Sequence, residues 1–91
     1  MVVYKSAKAA VRAARATEYV IEVGKGRYQV ADGVEAAFRV ATGAYKGNGH
    51  GAFHQAKDDL WEMLRGWDSV EVPIVTEAGG WWKVEAAGVV S

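Results

Sequence analysis

The chain has 91 residues, no cysteine, and a formal net charge of zero from eleven Lys/Arg against eleven Asp/Glu. That length makes one domain with room for a modest core, and 51% hydrophobic with 24% charged residues is globular rather than disordered composition. Without cysteine, disulfides, thiolate zinc sites and cysteine nucleophiles are excluded, which fits a reducing, cytoplasmic setting.

No apolar run approaches the roughly 20 residues of a membrane span. The small-residue run from Ala7 to Ala16 is interrupted by Lys8, Arg12 and Arg15, so no secretory leader is expected there. Ser6 is a candidate N-cap for a first helix over Ala7–Ala16. On that helix Ala7, Ala10, Val11 and Ala14 share a thin apolar face, beside a stripe of Lys8, Arg12 and Arg15. Ahead of it, Val2 and Val3 suggest a short edge strand.

A hairpin follows. Tyr19, Ile21 and Val23 alternate with Glu18, Val20 and Glu22, and Gly24-Lys25-Gly26 supplies a turn. The return strand is Arg27–Ala31, with Tyr28 and Val30 on one side and Arg27 and Gln29 on the other. Asp32-Gly33-Val34-Glu35 has the form of a capping box. It opens a second helix over Val34–Tyr45, whose face of Val34, Ala37, Phe38, Ala41, Ala44 and Tyr45 is the cleanest periodicity in the chain.

The glycine-rich stretch 46–51 is expected to be a flexible loop. A third helix is expected over Ala52–Arg65, with Phe53, Ala56, Leu60, Met63 and Leu64 inward and His54, Gln55, Asp58, Asp59 and Glu62 outward; Gly66 stops it. The last hairpin pairs Val70–Glu77 with Trp81–Ala86, and Pro73 predicts an edge position or a bulge for the first of these strands. The whole reads as one α+β domain over 1–91. Its order is α-β-β-α-α-β-β, with four antiparallel strands as two hairpins and helices over one face of the sheet. The two hairpins also rhyme: Gly26-Arg27-Tyr28-Gln29-Val30 beside Gly80-Trp81-Trp82-Lys83-Val84.

The zero net charge conceals a segregation. Residues 1–57 carry nine basic and four acidic side chains, and residues 58–91 carry two basic and seven acidic: +5 followed by −5. A segregated field steers partners. The basic part, Lys8, Arg12 and Arg15 reinforced by Lys25 and Arg27, is a candidate phosphate-contacting and nucleic-acid-binding surface. Against it stand a pI of 6.7 and the absence of any helix-turn-helix, RNA-recognition or zinc-finger signature. The acidic part, Asp58, Asp59, Glu62, Asp68 and Glu71, is a candidate protein-binding surface, with Trp81 as its aromatic anchor. Trp81 is expected on the open side of the sheet, where Val20 and Val75 would complete an apolar patch. Trp61 and Trp67 read as core and helix-end packing.

His50, His54 and Asp58, spaced by four, form a candidate metal site. The competing reading is a loop histidine, since Gly49 and Gly51 flank His50, and a surface histidine paired with Asp58. No serine sits in a nucleophile elbow, and the glycines at 47, 49 and 51 do not make a dinucleotide fingerprint. The chain is therefore expected to be no enzyme and to need no cofactor.

In its size, its lack of cysteine and its lack of any motif, the chain resembles the small accessory proteins of phages and mobile elements, among them the anti-CRISPR inhibitors of bacterial immunity. The similarity is one of type and covers no alignable segment. It implies a steric inhibitor that occupies a nucleic-acid channel or a docking surface of a protein or nucleoprotein complex, its acidic segment imitating phosphates against a basic partner. Direct nucleic-acid binding and self-association are the alternative modes.

Overall fold

The structure, a computed structural model, describes residues 2–44, 50–68, 71–78 and 81–87, with the side chains of 50–56, 78 and 81 outside that set. Seven elements run in the expected order: α1 (Ala7–Ala13), β1 (Glu18–Gly24), β2 (Arg27–Asp32), α2 (Val34–Ala44), α3 (His50–Arg65), β3 (Pro73–Ala78) and β4 (Trp81–Ala86). The α+β class and the two hairpins are as read from the sequence.

Ser6 caps α1: its backbone is extended and its hydroxyl oxygen accepts the Ala9 N–H at 3.1 Å. The helix stops at Ala13, three residues short of the expected end. Ala14 is extended, and the next residues close a turn of their own. The Arg15 N–H donates to Glu18 Oε1 at 2.6 Å, and the Glu18 N–H to the Arg15 carbonyl at 2.9 Å. Ahead of α1, Tyr4 makes a single antiparallel bridge to Tyr28 on the outer edge of β2, while Val2 and Val3 are exposed.

The strand order is β2-β1-β3-β4. Both hairpins are antiparallel, but β1 and β3 lie parallel, with Val20 beside Ile74 and Ile21 beside Val75. The sheet is thus mixed, not wholly antiparallel. Parallel neighbours need a long return path, and α2 and α3 provide it by carrying the chain from the β2 edge back beside β1. The Pro73 expectation is also corrected: β3 is an inner strand. Pro73 is tolerated as its first residue, because the pairing with β1 begins only at Ile74.

The capping box does not form. Asp32 Oδ1 instead accepts the Thr17 hydroxyl at 3.0 Å, and Gly33, at φ +94°, gives its carbonyl to the Ala37 N–H as the first helical bond. In the first turn, Gly26 at φ +70° takes the left-handed conformation that glycine adopts without strain. Between Glu22 and Gly24 the register shifts by one residue, which makes Val23 a bulge.

Helices cover both faces of the sheet, not one. On one side Tyr19, Ile21, Ala31, Val75 and Trp82 pack against Ala37 and Ala41 of α2 and Leu60 and Leu64 of α3. Phe38 and Trp61 meet edge to face there, ring centroids 5.3 Å apart. The Tyr19 hydroxyl donates to the Leu64 carbonyl at 2.9 Å in this core. On the other side Val20 and Ile74 pack against Ala10, with Tyr4, Val11, Tyr28 and Val30 around them. The matching positions of the rhyming hairpins therefore face opposite ways: Tyr28 and Val30 belong to the α1 side, Trp82 and Val84 to the α2/α3 side.

Candidate functional site: two charged faces on opposite sides of the sheet

Because α3 turns Leu60 and Leu64 into the core, Asp58 and Glu62 come out on its solvent side, one helical turn apart. Asp59 is half-buried beside them. Asp68 and Glu71 are exposed in the segment that follows. That segment is tied back by the Trp67 indole N–H, which donates to the Glu71 carbonyl at 3.1 Å, and by the Gly66 N–H, which donates to the Glu62 carbonyl at 2.9 Å. Trp67 thus packs at the helix end, as expected. Among the described residues, Asp58, Asp59, Glu62 and Asp68 form no ion pair, although Arg65 stands one turn from Glu62. Like charges one turn apart disfavour the helix by a few tenths of a kcal/mol, so this arrangement does not serve stability.

On the opposite side, burial of Ala10 sends Lys8 and Arg12 outward, one turn apart and exposed, with Lys5 ahead of them. Arg15 is exposed beyond the helix end. None of these four forms an ion pair among the described residues. The remaining two residues of the expected basic surface belong elsewhere. Tyr28 faces α1, so its neighbour Arg27 turns to the α2 side, where Arg27 and Lys25 border a cavity with Ala41 and Ala44. The five-residue basic set is thereby divided between the two faces of the sheet.

The molecule measures 35 × 26 × 23 Å. Its opposite faces lie well beyond a Debye length of about 8 Å at physiological salt. The outer surfaces of α1 and α3 therefore do not neutralise one another, and the charge segregation in the sequence becomes a segregation across the sheet.

Neither Val20 nor Val75 is available to the apolar patch expected around Trp81. Val20 and Val75 are both fully buried and face opposite sides of the sheet. Trp81 opens β4, paired with Ala78, and its side chain lies outside the described residues. His50 opens α3 instead of sitting in a loop, so His50, His54 and Asp58 are spaced by four along one helix. Both histidine side chains lie outside the described residues, as do residues 45–49 of the glycine-rich stretch. Among the described residues no group of three His, Cys, Asp or Glu side chains could hold a metal ion, and no helix is long and apolar enough to cross a membrane.

Compared with known proteins, the chain matches no family model, no curated protein and no solved structure.

Proposed function

We propose that this is a small, non-catalytic binding protein that docks the outer face of α3 and the segment after it (Asp58, Asp59, Glu62, Asp68 and Glu71) on a basic surface of a protein or nucleoprotein complex. The observation that carries this reading is that, among the described residues, Asp58, Asp59, Glu62 and Asp68 stand without an ion pair on one side of the sheet, with the basic stripe held on the far side. Such a surface lets a basic partner approach in one orientation, and complementary potentials raise the rate of encounter. Occupying a surface that otherwise takes nucleic acid makes the protein a steric inhibitor, as in the anti-CRISPR proteins it resembles in type. A cytoplasmic setting agrees with the lack of cysteine.

The reading is tested with tagged full-length chain in bacterial extract, using wild type, an acidic-face variant (Asp58→Lys with Glu62→Lys) and a basic-stripe variant (Lys8→Glu with Arg12→Glu). A basic partner should be retained by wild type and the basic-stripe variant and lost from the acidic-face variant. Retention by the acidic-face variant at wild-type level would contradict the proposal. Nuclease-sensitive retention lost only from the basic-stripe variant would instead support a nucleic-acid binder working through α1.

A further inference from the structure

A cavity of about 520 Å³ opens at the end of the sheet, between the β1–β2 turn and the C-terminal end of α2. Its size lies within the range of small-molecule sites. It exists because the Val23 bulge bends β1 at that end, and because α2 presents only the methyl groups of Ala41 and Ala44 there. Val23, Ala41, Ala44 and Trp82 make an apolar lining, and Lys25 and Arg27 stand at one end.

The charges around this space are not cancelled from within. Lys25 and Arg27 are exposed and form no ion pair among the described residues. Glu22 also borders the cavity, but its carboxylate accepts the Tyr28 hydroxyl at 3.1 Å on the α1 side of the sheet. Glu77 borders it from β3, one strand further across, and has a partner of its own. The cavity therefore has one apolar wall, from Val23, Ala41, Ala44 and Trp82, with the two cations at the β1–β2 end and Glu77 on the β3 side. Two such cations beside an apolar wall recognise an anionic group through charge-assisted hydrogen bonds, Arg27 offering a planar fork for two oxygens. The wall shelters whatever carries that group.

We infer that this cavity is a binding site for a small organic anion, a phosphate or carboxylate on a ring-sized apolar body, with Lys25 and Arg27 holding the anionic group and Trp82, Val23, Ala41 and Ala44 the body. The site is independent of the acidic face of α3.

The test is a titration of ¹⁵N-labelled full-length chain with phenyl phosphate, with inorganic phosphate and benzyl alcohol as separate arms. The Trp82 indole N–H and the amides of Val23, Ala41 and Ala44 should shift together and saturate with phenyl phosphate. Each half-ligand should need at least about tenfold more to reach the same shift, as should phenyl phosphate on a Lys25→Ala, Arg27→Ala variant whose other resonances are unmoved. Three outcomes would overturn the site: no shift at these residues, equal affinity in the double variant, or shifts centred on Lys8 and Arg12, which would mean general attraction of anions to the basic stripe.

Discussion

On the α1 side the sheet is covered by a helix of seven residues whose one fully buried side chain is a methyl group, Ala10. On the other side two helices of 11 and 16 residues bring Leu60, Leu64 and Phe38 down on Tyr19, Ile21 and Trp82. The first layer works by close approach, the second by volume. The outer surfaces differ as well: α1 shows only cations and no acid, whereas α3 shows Asp58 and Glu62 one turn apart. The comparison shows how a chain of zero net charge presents two surfaces of opposite sign. The sheet keeps them apart, and neither core depends on them.

The largest effects should come from truncation in the thick layer. Leu64→Ala or Leu60→Ala should lower the unfolding free energy by about 2–5 kcal/mol in urea titration, since each leaves a cavity in a fully enclosed site. The thin layer should fail in the other direction. Ala10→Leu has no space beneath it and should cost about 1–3 kcal/mol, whereas the same change at exposed Ala13, on the same helix, should stay within about 0.5 kcal/mol. Equal effects at the two alanines would mean that α1 does not rest on the sheet through Ala10.

Each layer also holds one tyrosine whose hydroxyl ionises above its ordinary value of 10.0. Burial alone raises Tyr19; burial first, then the charge of Glu22 and the hydrogen bond to it, raises Tyr28. The folded state therefore favours the neutral phenols. Their contribution is fully present below pH 10 and is lost as pH rises above 10.0 through the raised values. Denaturant titrations from pH 9 upward should show this fall, shallower in Tyr19→Phe and in Tyr28→Phe. Added salt should lessen only the Tyr28 part, the one that includes a charge. At neutral pH, Tyr19→Phe should cost about 1 kcal/mol for the lost bond to the Leu64 carbonyl. The smallest effect belongs to the Glu35–Arg39 pair, whose side chains are 81% and 75% exposed; a double-mutant cycle should return about 0.3–0.5 kcal/mol.

Local signals in the sequence carried the elements well. The Ser6 cap, the α2 face with Ala37 and Ala41 buried, the inward Leu60 and Leu64 of α3 and both hairpins are all set by neighbours within a turn or a strand pair. What stayed hidden depends on residues far apart in the chain. Val20, between Glu18 and Glu22, has the pattern of a solvent-facing residue, yet it is fully buried under α1. Asp32 was available as a cap until Thr17, fifteen residues earlier, took its carboxylate. Nothing near Pro73 announces that β1 lies alongside β3. The acidic face was legible because helical periodicity alone puts Asp58 and Glu62 outward. The union of Lys25 and Arg27 with the α1 stripe failed because the pleat turns Arg27 away from Tyr28. The cavity went unseen because its walls come from both hairpins and α2.

The most direct measurement is the footprint of a captured partner on the ¹⁵N-labelled chain. Binding through the acidic face should broaden or shift the amides of residues 57–65 and those of Asp68 and Glu71, while residues 7–13 stay unmoved. A footprint centred on Lys8 and Arg12, with α3 untouched, would contradict the proposal and make the basic side of the sheet the working surface.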